Sequence, residues 1–292
     1  MTVAAGDGRE SHTKRQRLAT ELRRVRDLAG VSGRDLAQRI GMSQSKVSRI
    51  ESGATLPSLP EVTAWADAVG TSVETREWLA AFTEAAVTEV LTWRTALQTR
   101  RHLQYDIQEW EARARTSRTF QHSVVPGLLQ TAEYARRIFS MSPLPYTPDD
   151  IGAALAGRLD RQLALFQEDK QFHFLITEAA LRWRPGPAKL LVSQLDRIAS
   201  LSTLENVSIG VIPHNMQSIT FMSHGFVIYG DRSDDRDAFV EVETIHANLI
   251  INDPGDVALY EERWSGLNEM AIFDEESREL LIALAVEFEN AG

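Results

Sequence analysis

The sequence contains no cysteine among its 292 residues. Disulfide frameworks, thiolate zinc sites, iron–sulfur clusters and cysteine nucleophiles are therefore excluded, and a reducing compartment is expected. No apolar run approaches the roughly 18 residues of a membrane span, and residues 1–13 lack the apolar core of a signal peptide. From these absences we expect a cytoplasmic protein without a membrane partner.

Familiar catalytic and metal-binding motifs are missing as well. No GxGxxG, GxxxxGK[ST] or GxSxG motif occurs, and the seven histidines follow neither HExxH nor any other ligand spacing. Glu241 and Glu243 alternate along one predicted strand, but isolated carboxylates are weak evidence for acid–base chemistry. We therefore predict no metal, no cofactor and no enzymatic activity.

Length and charge indicate two domains with different surfaces. A chain of 292 residues fits two domains, and its 43% hydrophobic and 25% charged residues are close to globular averages. The net charge of −10 is unevenly divided, because residues 1–50 hold 11 Lys and Arg against 5 Asp and Glu. A basic segment on an acidic chain suggests a surface for a polyanion, although a solvated basic helix remains the alternative.

Residues 14–88 show the pattern of five helices, following a predicted flexible tail over residues 1–13. The first helix is amphipathic from Lys14 to about Gly30, because its apolar residues recur every three or four positions. Capping residues indicate where the other four helices begin: Ser32, Ser43, Ser58 and Thr71. No strand signal interrupts this run.

The rest of the chain predicts a helical linker and then an α+β domain. Residues 89–118 are polar and helix-prone. Residues 119–292 combine segments with the 3.6-residue spacing of helices and segments with the two-residue alternation of strands. Alternating apolar residues predict strands around 172–176, 207–211, 226–228 and 240–242. Helical spacing predicts helices near 130–139, 149–167, 187–201, 254–271 and 275–289. Strand order does not follow from these patterns.

Residues 33–52 (GRDLAQRIGMSQSKVSRIES) contain a helix-turn-helix pattern. Such a motif needs a small residue where the helices cross, a glycine in the turn and apolar residues on the crossing face. Ala37 and Gly41 meet the first two demands, and five residues meet the third: Leu36, Ile40, Met42, Val47 and Ile50. Any helical hairpin could meet one or two demands by chance, but all of them coincide here beside the basic segment.

On these residues, the segment 14–88 resembles the lambda-repressor-like, XRE-type DNA-binding domains. The resemblance implies that a recognition helix at 44–52 reads base edges in the major groove through Gln44, Ser45, Lys46 and Arg49. It also implies that Ser43 and Ser52 lie near phosphates. These side chains suit those roles, since Gln pairs with adenine, Arg or Lys with guanine, and hydroxyls with phosphate oxygens.

The same resemblance implies a structural pair and shows one departure. Arg26 and Glu51 match a family pair that ties the first helix to the end of the recognition helix. Gly33 replaces the glutamine often found at the start of the family's second helix. That departure removes a backbone contact which would otherwise support the first base-reading residue.

Four further stretches resemble the C-terminal domain of WhiJ-like actinobacterial regulators, which are often described as antitoxin-like. They are Gln121–Arg136, Arg158–Gln162, Ile176–Leu181 and Gln194–Pro213. The resemblance implies a domain of poorly defined function, often associated with a small acidic protein encoded nearby. The resemblance therefore predicts which domain this is but no activity or ligand for it.

A possible effector or partner pocket is predicted in that domain from five side chains: Tyr134, Arg158, Arg161, Glu178 and Trp183. The charged members can equally form a salt-bridge network that holds a helix to a sheet. The aromatic members are more often core residues than ligand contacts.

Together these patterns favour a sequence-specific transcriptional regulator that binds double-stranded DNA as a homodimer. Its α+β C-terminal domain would bind an effector or a small partner protein. The main alternative is an antitoxin-like protein that chiefly binds a small acidic partner and uses DNA binding for autoregulation. A third alternative is an enzyme that the helix-turn-helix merely places on DNA, and no feature of the sequence supports it.

Overall fold

The computed structural model describes residues 7–92, 114–142, 147–232, 238–245 and 247–290. The chain divides into two compact units, Met1–Asp106 with Gly230–Leu259, and Ile107–Tyr229 with Tyr260–Gly292. Five helices come first and mixed strands and helices follow, so the predicted α+β fold class is confirmed. The predicted domain boundaries stay predictions.

The first unit begins with five helices: α1 (Asp7–Leu28), α2 (Gly33–Arg39), α3 (Gln44–Glu51), α4 (Leu59–Val69) and α5 (Val73–Val87). Local caps start several of them, since the hydroxyls of Ser32 and Ser43 each accept a backbone N–H at 3.1 Å. Ser58 caps α4 in a capping box. The helices bury one apolar core, in which Trp65 is fully buried.

The first unit also contains three strands: β1 (Thr88–Thr92), β6 (Phe239–Glu243) and β7 (Ala247–Ile251). β7 is antiparallel to both of the others, and its Ile251 lies opposite Thr88 of β1 and Val240 of β6. β1 follows α5 with no residue between them. The ladder therefore fixes β7 to the end of the fifth helix.

The second unit is built on three parallel strands in the order β2 (Ala114–Gln121), β3 (Gln171–Thr177) and β4 (Val207–Ile212). Its helices are α6 (Ala132–Ser140), α7 (Pro148–Gln162), α8 (Glu178–Arg182), α9 (Ala188–Leu201) and α11 (Asp274–Asn290). α9 and α11 pack together and share a core with β3 and β4. Residues of both units belong to β5 (Phe226–Arg232) and to α10 (Pro254–Glu269).

The predicted flexible tail over residues 1–13 is wrong in its described part. Residues 7–13 belong to α1 and not to a flexible tail, while residues 1–6 lie outside the described residues. This first part is almost entirely polar and so carries no apolar period, although Asp7 and Glu10 suit the start of a helix.

The predicted helical linker is also wrong at both of its described ends. Residues 89–92 lie in β1 and residues 114–118 lie in β2, whereas residues 93–113 lie outside the described residues. β2 gave no strand signal because polar side chains, Ser117 and Thr119, are buried in it alongside Phe120. Its buried positions therefore do not appear as a hydrophobic alternation.

Candidate nucleic-acid interface

α2 and α3 form the two helices of the predicted helix-turn-helix, and a short turn joins them. Gly41 adopts a positive φ of 68° in that turn, a conformation that glycine takes without steric cost. A Cβ at this position would meet no atom within 4 Å, so the backbone angle and not lack of space favours glycine here.

One face of the motif is buried and the other is open. Leu36 and Ala37 of α2 pack with Val47 and Ile50 of α3, and all four are at most 4% exposed. The side chains of Ser43, Gln44 and Ser45 are exposed at the start of α3. The core therefore directs a row of polar side chains outward at the helix N-terminus, where backbone N–H groups also favour anions.

The two hydroxyls expected near phosphates also have structural partners. Ser43 Oγ accepts the backbone N–H of Lys46 at 3.1 Å, and Ser52 Oγ donates to the carbonyl of Arg49 at 3.0 Å. Gly33 lies against the recognition helix, since a Cβ there would be 3.8 Å from Val47 Cγ1. A larger residue at the start of α2 would therefore remain within van der Waals distance of α3.

Lys46 and Arg49 are half-buried on α3, unlike the exposed residues that precede them. The Lys46 ammonium donates a hydrogen bond to Glu61 of α4. Burial alone would raise the pKa of Glu61, but the hydrogen bonds from Lys46 and from the Ser58 backbone outweigh burial and lower it. In this structure Lys46 is thus held by an acidic partner that the sequence pattern did not indicate.

The structure brings the expected pair Arg26 and Glu51 together. Arg26 Nη2 donates to Glu51 Oε2 at 2.9 Å, Nε also donates to this carboxylate, and Nη1 donates to the carbonyl of Val31 at 2.8 Å. The hydrogen bond to Glu51 outweighs burial and raises the pKa of Arg26. Arg26 is only 8% exposed, so this pair fixes the end of α3 to α1 from inside the unit.

The five side chains of the predicted C-terminal pocket fall into separate surroundings in the second unit. Arg158 donates to Gln130 Oε1 at 2.7 Å and stacks over the ring of Phe139 at 4.5 Å. Arg161 is half-buried near the end of the same helix, α7. Tyr134 is fully buried in the apolar core, and this burial raises its pKa to about 12.

Glu178 belongs to a different cluster, with Arg182 and His214. Its Oε1 accepts from Arg182 Nε at 2.6 Å, and its Oε2 contacts both the backbone nitrogen and Nδ1 of His214, at 3.0 and 2.6 Å. Burial would raise the pKa of Glu178, but these hydrogen bonds outweigh it and lower the pKa to about 2. Trp183 follows this cluster directly and is 40% exposed.

Sequence patterns missed three residues that contact predicted site residues: Glu61, Arg182 and His214. Arg182 lies four residues after Glu178, a spacing that could have indicated an ion pair on a helix. Glu61 lies three residues after Ser58, a spacing typical of a capping box, but nothing local pairs it with Lys46. Within the described ranges, no group of three or more His, Asp or Glu side chains is placed to hold a metal, and no helix is long and apolar enough to cross a membrane.

Two family models match the chain. Residues 17–79 match the family model described as a helix-turn-helix domain, and residues 104–283 match a domain of unknown function (DUF5753). No curated protein matches the chain.

One matching solved structure is that of TrmBL2, an archaeal chromatin protein described as showing a novel mode of DNA binding. It is 14% identical, with a TM-score of 0.31 over 64% of this chain and 53% of that one. The present chain thus spans about half the length of that protein.

Proposed function

The chain belongs to the family defined by the domain of unknown function DUF5753, and it carries a helix-turn-helix domain before that domain. From this premise we propose that it is a cytoplasmic, sequence-specific transcriptional regulator that inserts α3 into the major groove of DNA. The observation that carries this proposal is the outward row of Ser43, Gln44 and Ser45 above a buried apolar face. The groove is about 12 Å wide and admits one helix, whose exposed side chains then reach base edges.

Charge supports the same function. The first 50 residues carry the excess of Lys and Arg, while the remainder of the chain is acidic. A basic motif on an acidic body attracts phosphates at one surface and repels them elsewhere, which favours one docking orientation. The likeness to XRE-type domains adds the proposed base readers to this electrostatic argument.

A selection from random duplexes of about 30 base pairs tests the proposal with the full chain, since that length holds two half-sites one turn apart. We expect enrichment of one sequence with two related half-sites, and an affinity that falls steeply with salt. Gln44→Ala with Ser45→Ala should abolish the preference, whereas Thr63→Ala, an exposed site on α4, should leave it intact. Absence of any enriched sequence would refute sequence-specific binding.

The homodimer is part of the proposal, because one short helix contacts few base pairs and discriminates weakly alone. Half-sites should lie about 34 Å apart, one helical turn, or a multiple of that spacing. Protection of a single unrepeated site by a monomer would count against the dimer.

For the C-terminal part we propose binding of an effector or of a small partner protein, as the WhiJ-like resemblance suggests. Exposed apolar side chains favour a protein partner, since Leu163 and Phe166 are 64% and 58% exposed and Ile282 is 60% exposed. In the antitoxin-like alternative this interaction is the main function and DNA binding serves autoregulation. Co-expression with any small acidic protein encoded beside the gene tests it, with Leu163→Asp expected to abolish co-purification.

We propose no catalytic role for this chain. The rival reading of a DNA-tethered enzyme would be favoured by turnover in a screen of metabolites with the purified full chain.

A further inference from the structure

A cavity of about 470 Å³ lies directly on the proposed DNA-reading face. Its first wall consists of residues from the helix-turn-helix region: Ser43, Ser45, Lys46, Arg49 and Thr55. Its second wall comes from a distant part of the sequence: Ala238, Pro254 and Val257. Both walls belong to the first compact unit. Side chains proposed to contact DNA therefore line the same half-open cavity as Ala238, Pro254 and Val257.

The second wall is attached to the helices that form the first. β7 ends at Ile251, opposite Thr88, and β1 continues directly from α5. Just after β7, Asp253 Oδ1 accepts the backbone N–H groups of Gly255 and Asp256, at 2.8 and 3.1 Å, and so fixes the start of α10. Strand pairing and a helix cap thus place Pro254 and Val257 beside the recognition helix.

The two parts of the unit carry opposite charge. Residues 230–259 contain 8 Asp and Glu against 2 Arg, whereas residues 1–50 contain 11 Lys and Arg against 5 Asp and Glu. Asp253 and Asp256 flank the wall residue Pro254 in the sequence. Asp253 and Asp256 thus bring the same sign of charge as the phosphates of DNA next to a wall of the cavity that the reading residues also line.

We propose that residues 238–245 and 247–257 form an autoinhibitory wall over α3, and that tight DNA binding requires this wall to move away from the reading face. A cavity of about 470 Å³ has the size of a small-ligand site, so a duplex cannot reach these side chains while Ala238, Pro254 and Val257 lie beside them. The wall and DNA thus compete for Ser43, Ser45, Lys46 and Arg49. This inference rests on the proposed DNA-binding function.

Crosslinking of the two walls tests the inference in the full chain. Because the sequence has no cysteine, Thr55→Cys with Ala238→Cys introduces the only two thiols, and both positions line the cavity without being proposed DNA contacts. A short bis-maleimide with a reducible centre should join them, and binding to a selected duplex of about 30 base pairs should weaken at least tenfold. Reduction of the linker leaves both thiols modified but separates the walls, so recovery of affinity would exclude an effect of the modification itself.

The outcomes separate this inference from the proposed function. If neither the unmodified full chain nor the Asp253→Asn with Asp256→Asn variant, in which the wall is weakened, binds any selected duplex, the proposed function fails. If the full chain binds and the thiols do not crosslink, or if the crosslinked protein binds equally well, the autoinhibitory wall is refuted while the function stands. Loss on crosslinking with recovery on reduction supports both.

A charge-matched pair of variants gives an independent test. Asp253→Asn with Asp256→Asn removes two negative charges beside the wall and keeps a side-chain oxygen that can cap α10. Glu74→Gln with Glu77→Gln removes the same charge from exposed positions on α5. We expect the first pair to raise DNA affinity at least threefold more than the second. Equal increases in DNA affinity for the two pairs would show that only the net charge of the chain matters, and would contradict an autoinhibitory wall.

Discussion

Glu61 of α4 accepts a hydrogen bond from the Lys46 ammonium of the recognition helix, and the same carboxylate accepts the Ser58 backbone N–H at 2.9 Å. One acidic side chain therefore caps α4 and holds a proposed base-reading residue. The side chain of Lys46 is 41% exposed and that of Glu61 is 23% exposed, so the pair lies at the edge of the reading face. In the proposed complex, DNA would compete with Glu61 for this ammonium.

Glu61→Gln tests this competition. Glutamine can still accept the Ser58 N–H in a capping box, but it does not hold the ammonium by charge. We expect affinity for a selected duplex to rise roughly two- to fivefold at low salt, as befits a partly exposed ion pair. Fluorescence titration measures this change, with Glu74→Gln as a control that removes the same charge from α5. Weaker binding by Glu61→Gln would instead mean that the pair positions Lys46 for DNA.

Breaking the pair of Arg26 and Glu51 on one side only should strongly destabilise the first unit. Glu51→Ala leaves a guanidinium that is 8% exposed without its main acceptor, which should cost about 3 kcal/mol in unfolding free energy. The double variant Arg26→Met with Glu51→Leu should cost much less than the sum of the two single changes. Urea denaturation measures all of these values.

Arg23→Ala is the control for that series. Arg23 and Asp27 form a surface pair at 3.7 Å, with side chains 64% and 57% exposed, and its loss should cost less than about 0.5 kcal/mol. If Glu51→Ala proved as mild as Arg23→Ala, the buried pair would not fix α3 to α1.

The sequence predicts the short-range contacts of this site better than its long-range contacts. The caps at Ser32 and Ser43 and the turn at Gly41 depend on residues within a few positions, so their residue types indicate them directly. The contact of Lys46 with Glu61 joins residues 15 positions apart on different helices. No local pattern specifies it, because both residues also suit solvent.

The C-terminal part was harder to predict for a related reason. Arg158, Arg161 and Glu178 were grouped because they are charged residues in stretches that share one resemblance. In the structure Arg158 contacts Gln130 and Phe139, while Glu178 contacts Arg182 and His214. The sequence did not predict the strand β2, because its buried residues include Ser117 and Thr119, and polar residues are not expected in a core. Long-range pairing and buried polar groups therefore set the limit of prediction here.

Acid should destabilise the second unit through Glu178. Its pKa is lowered to about 2 in the folded protein, below the ordinary 4.5, so its ionised form stabilises the fold at neutral pH. This contribution is fully present above about pH 4.5 and is lost as the pH falls toward about 2. A shift of this size corresponds to roughly 3 kcal/mol in unfolding free energy.

Glu178→Gln should therefore lower stability at pH 7 and flatten the loss of stability between pH 4.5 and 2. Glu287→Gln is the control, since Glu287 also binds Arg182 but its side chain is 54% exposed. Its effect should stay below about 1 kcal/mol at every pH. Thermal unfolding from pH 2 to pH 7 distinguishes the two, and identical acid limbs for Glu178→Gln and the parent would contradict the assignment.

The last prediction separates base reading from backbone positioning on α3. Arg49→Ala should cost roughly 1 to 3 kcal/mol on the selected duplex and relax the preference at one base position, because arginine pairs with a guanine edge. Ser43→Ala removes the hydroxyl that accepts the Lys46 N–H, so it should lower fold stability by about 1 kcal/mol. Its DNA affinity should fall by a similar factor for all sequences, since a phosphate contact carries no base information. A library of duplex variants titrated at one salt concentration compares the two profiles. A uniform loss for Arg49→Ala that preserves every base preference would make Arg49 a phosphate contact and would shift the proposed register of the recognition helix.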